Sequence, residues 1–158
     1  AHGAILSRTH FARFLIERGH ARDMKQAFKY FLTRGKPGYV PGRWAALADA
    51  VRWIRDAGGT AVIAHPARYK LTAGKLVHLF GEFRECGGAA IEVVTGSHDA
   101  ETCRHFGRLA REHGLLASVG SDYHGPEQSW CDLGQTLPLP EDCAPVWQAW
   151  TGRPAAGA

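Results

Sequence analysis

The chain has 158 residues, 45% of them hydrophobic, with 19 Lys and Arg against 15 Asp and Glu and a formal net charge of +4. This length suits one hydrophobic core, and the mild positive charge favours anionic partners without indicating a polybasic coat. The sequence shows no apolar run long enough for a bilayer span, no signal-peptide pattern and no CxxC pair among its four cysteines. We therefore expect a cytoplasmic protein with reduced thiols and no membrane partner.

Two short amphipathic helices are predicted first. One begins after Ser7 and the other after Asp23, because both residue types accept hydrogen bonds well at a helix N-cap. The apolar positions at helical spacing are Phe11, Phe14 and Leu15 in the first helix, and Met24, Ala27, Phe28 and Phe31 in the second. The stretch GKPGYVPGRW, rich in Gly and Pro, predicts an irregular loop after them. We expect residues 1–43 to form a small helical insertion subdomain.

A helix, glycine and strand pattern occurs three times in the rest of the chain. The helices are predicted at about 44–57, 73–86 and 99–113, and the strands over TAVIA (60–64), AAIEVV (89–94) and LLASVG (115–120). Strands that alternate with crossover helices are parallel, which indicates an α/β sheet or barrel. A short helix is predicted near 144–150, and residues 151–158 are expected to be a flexible tail.

Polar side chains follow two of these strands. His65 comes directly after the first strand, and Asp122 and His124 come after the third. In an extended segment, Asp122 and His124 would point to the same side, and loops at the carboxyl ends of parallel strands meet at one edge. Two imidazoles and one carboxylate suit Mn, Fe or Zn as a metal. The alternative is structural, since a strand-end histidine is often only hydrogen-bonded and an aspartate can cap a turn.

Basic residues form a second constellation. We predict that three basic residues bind phosphate: Arg8, Lys36 and Arg68. The guanidinium group of arginine can donate two hydrogen bonds to phosphate oxygens, and the lysine ammonium adds a compact positive charge. Each could equally be a solvated surface residue. His10 could reach the same pocket or pack within the helical hairpin. Glu92, inside the middle strand, could support a metal ligand or pair with Arg68 or Lys70.

The segments IAHPARY and GSDYHG, in this order and spacing, resemble the polymerase and histidinol phosphatase (PHP) family. The accompanying SRTHFARFL and RGKPGYVP segments resemble the helical insertion of its RNase AM or TrpH-like subgroup. The resemblance runs from about Gly3 to Trp150. It implies a distorted barrel of seven βα units, of which residues 44–150 would be the C-terminal part. Carried over by motif, the metal ligands would be His65, Asp122 and His124.

The resemblance also implies an activity. It predicts a metal-dependent phosphoesterase, acting as a 5′-3′ exoribonuclease on short RNA, as a 3′,5′-nucleoside bisphosphate phosphatase, or as both. Manganese is the expected metal, with two or three ions in the complete site and Mg, Fe or Zn as alternatives. Asp122 and His124 would be catalytic, with His124 or a neighbouring residue protonating the leaving oxygen.

One part of the family pattern is missing. The HxH strand, the Asp-His pair and the Glu-containing strand that open the family barrel have no counterpart before Gly59. The chain therefore resembles the second half of such an enzyme, with the N-terminal half of the barrel as its expected partner in cis, and need not be active by itself. Two other hypotheses stay open, an amidohydrolase-like metal hydrolase and a non-catalytic RNA-binding remnant.

Overall fold

The structure is a computed structural model that describes residues 6–42, 44–125 and 131–150. The chain divides into two compact units, Ala1–Trp44 and Ala45–Ala158. We call them the helical unit and the sheet unit, and each is described by itself. The tail predicted for residues 151–158 lies outside the described residues.

The helical unit contains the two predicted helices. Helix α1 spans Arg8–Glu17, and α2 spans Met24–Ala27 and continues directly as a π-helical turn over Phe28–Leu32. The Asp23 carboxylate accepts the Gln26 backbone N–H at 2.7 Å, which confirms Asp23 as an N-cap. The small core of this unit consists of Ala12, Ala21, Ala27 and Leu32, with Leu15, Ile16, Met24, Phe28 and Phe31 packed against it.

The predicted apolar face of α1 is only partly buried. Leu15 packs on the core, but Phe11 and Phe14 are 52% and 50% exposed. Ala12, which lies between them in sequence, is fully buried instead. The helix is therefore rotated so that its small residue faces the core and its two phenyl rings face outward.

The sheet unit contains the predicted parallel sheet. Three strands, β1 (Val62–Ile63), β2 (Ala90–Thr95) and β3 (Leu116–Gly120), pair in the order β1-β2-β3, and both pairings are parallel. The helices are α3 (Leu47–Asp56), α4 (Ala73–Glu85) and α5 (Ala100–Glu112). This confirms an α/β sheet with parallel strands, while closure into a seven-unit barrel stays a prediction.

Element ends differ slightly from the sequence-based expectation. Strand β1 has two residues instead of the predicted five, because the register pairs only Val62 and Ile63 with β2. The helix expected near 144–150 is a 3₁₀ turn over Val146–Ala149, and Pro145 before it forms a bridge with Ala117 of β3.

The core of the sheet unit surrounds the central strand. Ile91, Val93 and Val94 of β2 are fully buried, as is Phe80 of α4. A parallel strand that is covered on both faces is apolar along its length, which explains the AIEVV sequence and makes Glu92 its exception. All four cysteines are free thiols. Among the described residues, no helix is long and apolar enough to cross a membrane.

Candidate active site

His65 ends β1 in an unusual backbone conformation. Its φ is +33°, in the left-handed region, and Pro66 after it starts a 3₁₀ turn over Pro66–Arg68. The His65 backbone N–H donates to Glu92 Oε2 at 2.5 Å. Its ring Nδ1 is buried and has no hydrogen-bond partner within the described part of the chain. Buried polar atoms are normally partnered, so this nitrogen indicates a partner other than the described residues.

Glu92 lies in β2 beside this histidine. Burial raises the pKa of its carboxyl group, the hydrogen bond from His65 and the His65 charge oppose the rise, and the Asp122 charge adds to it. The other carboxyl oxygen packs closely on Gly120, where an added Cβ would lie 2.5 Å from Oε1. Glu92 therefore accepts a hydrogen bond from the His65 backbone, and support of a metal ligand by Glu92 stays a prediction. Arg68 pairs with a different carboxylate.

Arg68 joins the loops that follow all three strands. It lies in the turn after β1, its Nε donates to Ser97 Oγ after β2 at 3.3 Å, and one terminal nitrogen forms an ion pair with Asp122 Oδ2 after β3. The Asp122 side chain is 17% exposed and that of Arg68 is 40% exposed. A guanidinium in this position fixes the carboxyl edge of the sheet and still presents part of its surface to a ligand.

Asp122 and His124 are close together, but not through the expected extended segment. Asp122 has a φ of +55°, so the chain turns there. His124 Nδ1 lies 2.7 Å from the Asp122 carbonyl oxygen and 3.7 Å from its Oδ1. Because a carbonyl only accepts, Nδ1 carries the proton in this bond. The prediction of an extended geometry is wrong, and a turn brings the two residues together instead.

The predicted ligand set fits a divalent cation in kind. Two imidazoles and a carboxylate are suitable donors, and the unpartnered Nδ1 of His65 is an atom that such an ion could satisfy. The structure does not group the three as a ligand set, because no three His, Cys, Asp or Glu side chains within residues 6–42, 44–125 and 131–150 are close enough together to hold a metal. Metal binding by His65, Asp122 and His124 thus stays a prediction.

The loop after β2 contains residues that the sequence-based prediction missed. His98 is 8% exposed, its Nδ1 lies 3.0 Å from the Val93 carbonyl, and its Nε2 is buried without a partner in the described structure. Thr95 Oγ1 is a further such atom. Together with His65 Nδ1, all three of these atoms belong to the ends of β1 and β2. The polar run TGSHD directly after a buried strand was the signal that could have identified this loop.

Three predicted site residues belong to the helical unit. The Arg8 guanidinium lies 5.9 Å from the centre of the Phe28 ring, and Lys36 is exposed in the loop after α2. His10 is exposed, and its Nδ1 accepts the Ser7 backbone N–H at 3.0 Å, so it completes the N-terminal cap of α1. Phosphate binding by Arg8 and Lys36 stays a prediction.

The chain is similar to known enzymes that act on phosphoester bonds. No protein-family model matches the chain. Over 149 residues it is 47% identical to a 3′,5′-nucleoside bisphosphate phosphatase of Chromobacterium violaceum, a match of 94% of this chain and 52% of that protein. Over 150 residues it is 44% identical to the 5′-3′ exoribonuclease Rnm of Salmonella typhimurium, a match of 95% of this chain and 51% of that protein.

A solved structure matches as well. It is described as an amidohydrolase from Chromobacterium violaceum with bound sulfate and no metal, and it is 47% identical with a TM-score of 0.82 over 93% of this chain and 51% of its own. The chain spans about half the length of the curated relatives it matches. Since both relatives are named for hydrolysis of phosphoester bonds, the chain is homologous to about half of a phosphoester hydrolase.

Proposed function

We propose that this chain forms part of a metal-dependent phosphoesterase of the PHP family that hydrolyses nucleotide phosphate esters in the cytoplasm. Its substrates would be short RNA, degraded from the 5′ end, a 3′,5′-nucleoside bisphosphate, or both. The observation that carries the proposal is the arrangement around Arg68, which ties together the loops after three parallel strands. Arg68 lies in the turn that follows His65, whose Nδ1 has no hydrogen-bond partner among the described residues. The names of the relatives support the choice of substrates.

In this proposal the chain supplies only part of the barrel. Residues 1–43 would be the helical insertion, residues 44–150 the C-terminal part of a seven-unit barrel, and an N-terminal half in cis would provide the remaining metal ligands. The match to about half of each relative supports this division.

The basic residues would hold the substrate phosphate. Arg68 is fixed by Ser97 and Asp122, so its orientation is set before a ligand arrives. Its exposed part would contact phosphate oxygens, with Arg8 and Lys36 as additional cations. The sulfate bound in the homologous structure supports an oxyanion site in this kind of fold. A fixed guanidinium also stabilises the charge that builds up on the equatorial oxygens during hydrolysis.

The metal would be held by His65, Asp122 and His124, with manganese as the first choice. When bound, a divalent ion in such a site activates water and neutralises phosphate charge. Glu92 orients His65 through the backbone N–H. His124 keeps its Nδ1 proton on the Asp122 carbonyl, which leaves Nε2 as the atom at which this ring could coordinate or transfer a proton. Those two roles of His124 are alternatives.

The test uses the product of the complete reading frame in manganese buffer. Phosphate release from a 3′,5′-nucleoside bisphosphate and shortening of a 5′-phosphorylated RNA are measured for the wild type, His65→Ala and Asp122→Asn. Both variants should lose more than the 10–100-fold that is typical when only a supporting partner of a metal ligand is removed. His105→Ala, at an exposed histidine of α5, is the matched control and should keep full activity. Full activity of His65→Ala would refute the assignment.

The same assay separates the other hypotheses. The amidohydrolase hypothesis predicts turnover of simple amides without phosphate release. Simple amides are included as substrates because one homologous structure is described as an amidohydrolase. A non-catalytic remnant predicts RNA binding that survives loss of His65 or Asp122, with neither phosphate release nor RNA shortening in manganese buffer. Either pattern in the absence of phosphoester hydrolysis would replace our proposal.

A further inference from the structure

The positive charge of the chain is concentrated in its helical unit. Residues 1–44 contain nine Lys or Arg and two acidic residues, a balance of +7, whereas residues 45–158 contain ten and thirteen, a balance of −3. The modest whole-chain charge of +4 therefore conceals two units of opposite sign. Such a division points to an anionic partner for the helical unit rather than for the chain as a whole.

The basic side chains of this unit are at its surface. All eight Lys and Arg between residues 6 and 42 are exposed. Arg22 pairs with Asp23 at 3.0 Å, and Glu17 is the other carboxylate among these residues. Most of the cations therefore have no acidic side chain of the unit to neutralise them, which is the electrostatic pattern of a surface that binds a phosphate chain.

Aromatic rings lie among these cations. Phe11 and Phe14 are about half exposed and line a groove of about 460 Å³ in the helical unit, with Arg8 among its lining residues. The Arg18 guanidinium carbon lies 5.0 Å from the centre of the Phe14 ring. Exposed rings next to cations suit a partner that has flat aromatic groups on a charged backbone.

We propose that the helical unit binds single-stranded nucleic acid, with backbone phosphates on its exposed Lys and Arg and one base in the Phe11–Phe14 groove. The choice of RNA as the natural strand rests on the proposed function. Charge alone would also suit an anionic membrane surface, but the groove and its cation-flanked rings favour unpaired bases over lipid head groups. A duplex keeps its bases stacked inside and cannot use the groove.

The test measures binding without hydrolysis. A labelled RNA of about 12 nucleotides, within the usual site sizes of single-strand binders, carries a 5′-hydroxyl and is titrated with the 158-residue chain in EDTA by fluorescence anisotropy. The variant combines Arg18→Gln, Lys25→Gln and Lys29→Gln. If these three contact phosphates, the slope of log affinity against log salt should fall by about 2, and affinity near 0.1 M salt by up to about 100-fold.

A matched variant removes the same charge from the sheet unit. Lys75→Gln, Arg84→Gln and Arg104→Gln together also remove three exposed cations, and they should change affinity and salt slope little. Glu17→Gln tests the proposal through an increase in RNA affinity, because removal of this exposed carboxylate should tighten RNA binding. Circular dichroism verifies that the variants stay folded.

Three results would overturn the proposal. They are equal losses in both triple variants, equal affinity for duplex and single-stranded RNA, and tighter binding to phosphatidylserine vesicles than to RNA with the same dependence on the three cations. Similar binding of single-stranded DNA would support it. Because EDTA removes metal and nothing is cleaved, failure of the phosphoesterase proposal would appear in its own assay and leave this result unaffected.

Discussion

Gly120→Ala tests the contact between the Glu92 carboxyl group and β3. An added Cβ would lie 2.5 Å from Glu92 Oε1, whereas ordinary contact begins at 3.4 Å, so the carboxyl group must move by about 0.9 Å. A shift of this size would stretch the hydrogen bond from the His65 N–H, now 2.5 Å, beyond good geometry. Loss of a hydrogen bond to a charged group costs about 1.5–3 kcal/mol. Gly120 does not have a positive φ, so alanine adds no backbone strain.

The assay is a double-mutant cycle by urea unfolding with Gly120→Ala, Glu92→Ala and the double variant. Gly120→Ala alone should lower the free energy of unfolding by about 1.5–3 kcal/mol, and most of that loss should vanish when Glu92 is already alanine. Gly81→Ala, in helix α4 with no other atom within 4 Å of the added Cβ, is the matched control and should be neutral or stabilising by about 0.5–1 kcal/mol. Additive effects, within about 0.5 kcal/mol, would refute the reasoning.

Further predictions concern the core, the strand carboxylate and the phosphate site. Phe80→Ala should lower the free energy of unfolding by about 3–5 kcal/mol because Phe80 is fully buried. Leu133→Ala, at a 68% exposed side chain, should change it by less than about 0.5 kcal/mol in the same urea titration. Glu92→Gln should flatten the pH dependence of stability. Since folding raises the pKa of Glu92, the native carboxyl favours stability at acid pH and loses that contribution as pH rises through its raised pKa. The free energy of unfolding of the variant, measured in chelator, should therefore rise relative to that of the wild type as pH increases toward neutral. A difference between the two proteins that stays constant across pH would contradict this. Arg68→Lys should weaken phosphate binding roughly 10-fold in calorimetric titration, because a lysine ammonium cannot donate the paired hydrogen bonds of a guanidinium group. This loss corresponds to about one hydrogen bond to a charged group. Unchanged affinity would remove Arg68 from the phosphate site.

The order of elements could be predicted from the sequence, because local patterns determine it. Glycines with positive φ follow each helix of the sheet unit, at Gly58, Gly87 and Gly114, and they mark the switch from helical to strand periodicity. The exposed face of α1 could not be predicted in this way. Its phenyl rings have the spacing of a buried face, and only the tertiary contacts of the unit place Ala12 inward instead.

The strand-end positions of the candidate residues could be predicted, but their contacts could not. Strand ends identified His65, Asp122 and His124, since carboxyl ends of parallel strands meet at one edge. The bonds that join this edge span 27 residues between His65 and Glu92, and 54 between Arg68 and Asp122. Such pairings depend on sheet register and loop conformation, which single-sequence patterns do not contain.

His65 and Asp122 are the two non-glycine residues with positive φ in the part of the chain that the structure describes. Each such backbone costs of the order of 1–3 kcal/mol, so glycine at His65 should make the protein more heat-resistant while it removes a side chain proposed to bind metal. Glycine at Asp122 would also remove the ion pair with Arg68, which offsets that gain. A library selected for thermal tolerance alone would therefore tend to discard the His65 side chain. Engineering of this fold should hold both positions constant and look for added robustness elsewhere.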